Sequence, residues 1–523
     1  MQAPQASRTL RRSALLAAIS LMSSCDPEVS TLPTRVSGGS FPAACQGPLQ
    51  GGTLYGHTEV EPFLAIDPVD PAHLIGVWQQ DRYSNGGAGG LLTGISFDAG
   101  QTWATASAPF SHCTGGNTVN GGDYERASDP WVTIGPDGTA HQLALTFDMS
   151  LGGGNRAILA SRSSDGGRSW SAPQQLQGDT DPSFALDKGS ITADPQSASL
   201  VYAVWDRLTD QLTSNSPLAH GPMWFARTTD GGATWEPARS IFDPGVDAQT
   251  LGNVIAVLPD GTLLNAMLVF TGLSTAATRA SVAVLRSADK GLTWPDPPVT
   301  ISTVQNVTVV DPKTQRMVRT GGALPSIAVD DSTGAAYVVW EDSRFSGGAR
   351  NGIALATSSD GGRSWSLPVQ VNGAPAAAAF TPAIAVGGGK LGVAYYDFRA
   401  DDPADASRFL ASSWLAISGD GGASWQETAL AGPFDLQTAP FALGYFLGDY
   451  QGLGWDGTAF VSFFAAANSG NVSDRTSLLF RRVPPGASPM HAILDAIRPE
   501  RLFRSWRREA RAGVDRAPAR SAR

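Results

Sequence analysis

Four places in this 523-residue sequence set an acid beside an arginine: Asp81-Arg82, Asp206-Arg207, Glu341-Asp342-Ser343-Arg344 and Asp397-Phe398-Arg399. A guanidinium pairs bidentately with a carboxylate, and a nearby carboxyl can give or take a proton. Brought to one spot, Arg82, Arg207, Arg344 and Arg399 would grip an acidic ligand beside acid/base groups. Repetition allows a second reading, in which each acid and arginine form an ion pair that ties neighbouring loops together.

Other chemistries find little support. Three cysteines and six histidines show no zinc-ligand spacing, and Asp401, Asp402 and Asp405 lack a full calcium-loop pattern. No metal and no cofactor is expected. The formal charge is −10, although residues 484–523 hold nine arginines against four acids. The body is therefore acidic, which argues against nucleic acid as a partner.

The elements that must position these residues come from a repeat. Six octapeptides run Ser96–Trp103, Ser163–Trp170, Thr228–Trp235, Ser287–Trp294, Ser358–Trp365 and Ser418–Trp425, with Asp98, Asp165, Asp230, Asp289, Asp360 and Asp420 at their third positions, 59 to 71 residues apart. Each places a hydroxyl, an aspartate, a glycine and a terminal tryptophan where a tight turn needs side-chain acceptors, a positive φ and an apolar anchor. Those aspartates are read as structural. Before each box lie two apolar runs, such as residues 62–66 and 73–78, separated by Pro, Gly and Asp.

Each unit thus reads as strands A, B and C, the box, and strand D. The predicted fold is all-β, a β-propeller of four-stranded antiparallel blades over residues 46–483. A last set of strands around residues 452–480 lacks a box, and the segment around Gly52–Tyr55 is expected to complete it. This favours seven blades, with six as the alternative. Antiparallel alternation puts the boxes and the A–B turns on one face, and the acid-arginine loops and strand A starts on the other. The starts add Glu59, Glu61, Asp123, Glu125, Arg126, Asp129, Asp187, Lys188, Arg319 and Asp449-Tyr450 to that second face.

The ends differ in character. Arg8, Arg11 and Arg12 precede a short apolar run that stops at Cys25, the order of a secretory signal over residues 1–24. The sequence Leu21-Met22-Ser23-Ser24-Cys25 resembles the lipobox of bacterial lipoproteins, so Cys25 is the expected lipidated N-terminus and the only membrane attachment. The expected location is the bacterial cell envelope or, with an ordinary cleaved signal, the medium. Cys45 and Cys113 remain as one candidate disulfide. Residues 484–523 read as a basic amphipathic tail with helical spacing at Met490, Ile493, Leu494 and Ile497. A monomer is expected.

The octapeptide is the Asp box, or BNR repeat, and residues 50–483 resemble the sialidase (neuraminidase) superfamily. The resemblance implies an arginine triad that grips a substrate carboxylate, an aspartate acid/base, and a tyrosine nucleophile assisted by a glutamate. Asp81 then becomes the candidate acid/base, Tyr450 (or Tyr445) the nucleophile and Glu341 its partner. The family's Phe/Tyr-Arg-Ile-Pro motif is absent; Glu59-Val60-Glu61-Pro62 keeps its proline without the arginine. Two functions follow as expectations: an exo-α-sialidase-like hydrolase of acidic glycans, and a non-catalytic propeller that binds glycans or proteins.

Overall fold

A computed structural model describes residues 32–149, 154–209, 219–275, 278–294 and 297–486. The signal segment, Cys25 and the tail beyond Gly486 lie outside the described residues. The chain is all-β, built from four-stranded antiparallel sheets in sequence order. In the first, strands Leu54–Ile66, Leu74–Tyr83, Ala88–Ser96 and Ala104–Ala106 run from the inside outward. Five further sheets begin at the inner strands Arg126–Ile134, Phe184–Ala193, Ala248–Val257, Ser326–Val329 and Ala379–Gly387.

A last set pairs Gly452–Trp455 with Phe460–Ala467 and that with Thr476–Val483. Its fourth strand is Thr34–Arg35, antiparallel to Thr476–Val483 through Thr34↔Phe480. This corrects the expectation for Gly52–Tyr55. Leu54 and Tyr55 instead extend the first inner strand, opposite Tyr83 and Arg82. Among the described residues the inner strands pack in sequence, each on the next, and Gly452–Trp455 packs back on Leu54–Ile66.

Second strands lie between neighbouring sheets on both faces, which explains their unbroken apolar runs. Ala336–Asp342 is buried at every position. Trp78, Trp205 and Trp340 are fully buried within three such strands.

All six Asp boxes share one geometry. In the first, Ser96 Oγ donates to Asp98 Oδ1 at 2.8 Å and accepts from the Gly100 N–H at 2.9 Å, while the Thr102 N–H and hydroxyl donate to the Asp98 carboxylate at 2.8 and 2.6 Å. Asp165, Asp230 and Asp420 make the same bonds, and the hydroxyl donors of Ser169, Thr234 and Ser424 lead in holding them down at about 2.

The box is also a joint between sheets. The glycine at its fifth position has positive φ, and a Cβ there would sit 2.6 to 3.0 Å from a side chain of the preceding sheet: Gly167 from Ile75, Gly232 from His141, Gly291 from Phe225, Gly362 from Leu264 and Gly422 from Leu355. Gly100 meets Phe480 of the last set in the same way, so the first box closes the ring. Ala99 N–H donates to Ala72 O at 2.9 Å, which confirms that boxes and A–B turns share a face.

Candidate functional site

Inner strands carry one recurring irregularity on the opposite face. Register shifts at residues 60/63, 128/131, 187/190, 251/254 and 380/383 mark a bulge, and Glu61, Asp129, Lys188, Gly252 and Thr381 within them have φ of 54, 50, 46, 73 and 51°. A bulge re-aims its side chain. Here three charged side chains from three sheets turn toward one another at the axis.

Lys188 is their centre. Its Nζ lies 3.4 Å from Glu61 Oε1, 3.6 Å from Asp129 Oδ1 and 2.5 Å from Asp449 Oδ2. Asp449 precedes the last set, and Arg319 grips it through Nε at 2.9 Å and through Nη2. Arg319 stands in Val318–Arg319, which pairs in parallel with Tyr445–Phe446. Two insertions between sheets thus brace each other and deliver the pair.

Burial sets opposite protonation states in this cluster. Desolvation, reinforced by Asp129 and Asp449, outweighs Lys188 and pushes Glu61 up to about 8. Asp449 is also desolvated, but Lys188 and Arg319 together hold it well below the usual carboxylate range. Desolvation raises Asp187, beside Lys188, to about 6. Burial thus biases Glu61 toward its acid form, while the two cations bias Asp449 toward the anion. Since one ammonium holds both, their near oxygens are no more than about 6 Å apart, comparable with the roughly 5 to 9.5 Å between the carboxyls of glycosidases.

Arg82 is the unbalanced member. It is 3% exposed. Nη1 donates to Gln79 Oε1 at 2.6 Å, Nε has no partner, and among the described residues no carboxylate pairs with it. Its guanidinium and that of Arg319 lie 5.0 and 4.2 Å from the Phe446 ring centre. Glu61, Asp449 and Asp129 act on this guanidinium only through their field, and a buried cation that no carboxylate directly pairs is costly. The cavity beside Lys188, lined also by Trp131, Asn253, Leu324 and Tyr450, holds about 30 Å³, room for one water. Any larger ligand must meet the cluster from the open face.

Of the residues singled out from sequence, Arg82 joins this cluster and the other three arginines do not. Arg207 forks onto Asp179 at 2.8 Å, Arg344 pairs with Asp342 at 2.8 Å, and Arg399 pairs with Asp397 and, at 2.7 Å, with Glu427. Asp81 is buried under the N-terminal segment, where it accepts from Ser40 Oγ, Phe41 N–H and His57 N–H at 2.6, 2.7 and 2.9 Å. Cys45, bonded to Cys113, pins that segment. Glu341 accepts from Thr381 N–H, Thr320 Oγ1 and Asn351 Nδ2 at 3.0, 3.0 and 3.2 Å. Tyr450 lies at the cluster, but its hydroxyl donates to Pro130 O at 3.2 Å and its ring packs edge-on against Trp131. Tyr445 is buried beside Phe441.

The convergence of Glu61, Asp129, Lys188, Arg319 and Asp449 did not follow from spacing, although all five fell on the predicted face. The signal that could have exposed it is the charged residue at successive strand A starts, as in Glu61-Pro62 and Asp129-Pro130.

No protein-family model and no curated protein matches the chain. Solved structures do. A Hadza microbial sialidase is 14% identical, covering 79% of this chain and 75% of that one, with a TM-score of 0.44. The solved structures similar to this chain include sialidases, an α-L-arabinanase and an α-L-arabinofuranosidase. The Penicillium chrysogenum α-L-arabinanase complexed with arabinobiose is 14% identical over 86% of this chain and 99% of that one, and the Fusarium graminearum α-L-arabinofuranosidase is 11% identical over 86% and 98%, each with a TM-score of 0.44.

Proposed function

We propose that this chain is a seven-bladed, sialidase-like propeller that hydrolyses acidic glycans on the face opposite its Asp boxes. The carrying observation is Arg82, a buried guanidinium with no carboxylate partner among the described residues, beside the carboxyls gathered on Lys188. Arg82 and the exposed edge of Arg319 receive the ligand's acidic group. Glu61 gives the proton to the leaving oxygen, and Asp449 is the ionised carboxylate that stabilises or attacks the anomeric carbon. In this reading two carboxyls carry the reaction, and Tyr450 is a packing residue.

The test is turnover of fluorogenic substrates, an α-sialoside and a β-glucuronide against a neutral α-L-arabinofuranoside. Acidic substrates should be cleaved, with Glu61→Gln at least about 100-fold slower. A non-catalytic glycan-binding propeller is the second reading, favoured by the burial of Glu61 and Asp449 at 1% and 5% exposure. Saturable binding of an acidic glycan without turnover selects it, and neither binding nor turnover removes both.

Export and lipidation at Cys25 belong to the same proposal. Thr34–Arg35 and Thr476–Val483 are neighbouring strands, and Val483 pairs with Phe460 next to the Asp456 turn. Both described ends therefore leave on the Asp-box face, so a lipid anchor would leave the cluster facing outward. Mass spectrometry of the mature N-terminus tests this, with an acylated Cys25 expected.

A further inference from the structure

We propose that the acidic glycan is a chain with carboxylates on successive sugars, and that Arg316 and Arg475 hold a second acidic group outside the site of Arg82 and Arg319. Binding of the first group rests on the reading above; the outer surface stands on its own observations.

Four guanidinium groups rest on three aromatic rings along one strip of the face opposite the Asp boxes. Arg82 and Arg319 share Phe446, Arg316 lies 5.5 Å from the Phe441 ring centre, and Arg475 lies 5.0 Å from that of Tyr55. The strip is continuous, because Tyr55 stands opposite Arg82 in the first sheet and its hydroxyl donates to Phe441 O at 3.4 Å. Arg316 comes three residues before Arg319, so even a fully extended chain puts their Cα atoms no more than about 11 Å apart.

The outer two arginines are open to a ligand. Elsewhere on this acidic chain Arg35, Arg207 and Arg408 hold carboxylates of their own protein. Among the described residues Arg316 and Arg475 hold none. Arg475 Nη1 donates to Thr438 O at 3.0 Å, and Arg316 is exposed above the Phe441 ring. Acids close in sequence are engaged: Asp474 pairs with Arg35, and Asp311 accepts from Thr314 Oγ1 and Gln437 Nε2 at 2.6 and 2.9 Å. A guanidinium laid on a ring keeps N–H donors at its edge, where a carboxylate pairs with it.

Apolar surface left unburied lies beside them. Residues 441–445 form a tight turn in which Ala442 N–H donates to Gly444 O at 2.8 Å and Phe441 bridges to Tyr445. Its tip, Leu443, is held at φ 62° with 73% exposure. The turn is pressed onto the strand that carries Arg319: a Cβ on Gly444 would lie 2.6 Å from Arg319 N. Met317 on that strand is 46% exposed. A leucine in the left-handed region is strained, and such strain gathers where ligands are held. Apolar and aromatic groups alternating with guanidinium groups suit sugar rings, whose C–H faces pack on the former while their carboxylates meet the latter.

Calorimetric titration with two ladders, oligogalacturonates and oligosialic acids from monomer to tetramer, tests this, with Glu61→Gln as the background where a ladder is cut. In at least one ladder the tetramer should bind about tenfold or more tighter than the monomer, and a neutral maltotetraose should not bind. Arg316→Gln and Arg475→Gln should each weaken the tetramer about 3- to 10-fold and leave the monomer unchanged. Arg316→Glu should weaken it further, and since the Arg316 side chain is exposed, it covers the case in which Arg475→Gln does not fold. A tetramer no tighter than the monomer in both ladders, or tetramer binding indifferent to the Arg316 variants, would overturn the inference. If tetramer binding depends on Arg316 while nothing is cleaved, the hydrolase reading falls and the outer surface stands. If acidic monosaccharide glycosides are cleaved with no dependence on chain length, the outer surface falls and the hydrolase reading stands.

Discussion

Glu341, in the second strand of the fifth sheet, accepts the backbone N–H of Thr381, in the inner strand of the sixth, at 3.0 Å. Asp206 does the same for Gly252 in the next sheet at 3.1 Å. At these two bulges an N–H is left unpaired within its own ladder, and a buried carboxyl of the preceding sheet takes it. These acids act as joints. Glu341→Ala should lower stability by about 2 to 4 kcal/mol, since it strands the Thr381 N–H and Thr320 hydroxyl. Urea unfolding checks this; a loss below about 0.5 kcal/mol would contradict it.

The same two acids predict how stability varies with pH. Desolvation raises Glu341 from 4.5 to about 8 and Asp206 from 3.8 to about 7. The native state therefore holds their protons to higher pH than the unfolded chain does. Their contribution is fully present below about pH 4 and is lost progressively toward pH 8. Unfolding free energies at pH 5, 7 and 9 should fall in that order. Glu341→Gln should flatten the trend and exceed the wild type at pH 9. A rise in stability across that window would argue against buried, protonated joints.

Two adjacent glycines in the last Asp box separate backbone strain from contact between sheets. Gly421 has φ +72° and open space where a Cβ would go, whereas at Gly422, φ +96°, a Cβ would lie 2.6 Å from Leu355 Cδ2. Gly421→Ala should cost only the left-handed penalty, about 1 to 2 kcal/mol. Gly422→Ala should add overpacking of about 1 to 3 kcal/mol. Equal losses in chemical denaturation would mean that the box does not join sheets.

Removing the ammonium at the axis should be more damaging. Lys188→Met leaves Glu61, Asp129 and Asp449 without their shared cation, a change expected to cost about 3 to 5 kcal/mol at pH 7. The loss should shrink below pH 4, where the carboxyls can protonate. Thermal melts at pH 3.5 and 7 check it, and an equal loss at both would show that packing dominates.

Much of this architecture was legible in the sequence. The octapeptides fixed the hairpins because each carries its own hydrogen-bond set, and alternation correctly put the boxes and A–B turns on one face. Cys45 and Cys113 proved to be a pair. The closing strand was misplaced because Thr34–Arg35 is only two residues long and has no apolar pattern, while Leu54–Tyr55 looked like a free strand but extends its neighbour. The arginines divide between the two readings for a different reason. Arg344 and Arg399 pair with the acids beside them in sequence, Asp342 and Asp397, whereas Arg207 reaches Asp179 and Arg399 also reaches Glu427, acids that spacing cannot locate. Charged side chains meet at the axis because bulges at Glu61, Asp129 and Lys188 turn them there, and a positive φ at a non-glycine residue leaves no mark in composition.

The most direct test of the proposed chemistry is the pH dependence of kcat/KM on a fluorogenic α-sialoside for the wild type and Glu61→Gln. With Glu61 as the proton donor, the wild-type rate should hold to about pH 7 and then fall about tenfold per pH unit above about 8, while Glu61→Gln should be slow and lack that descending limb. A wild-type rate that does not fall above pH 8, or a Glu61→Gln variant as fast as the wild type, would contradict it.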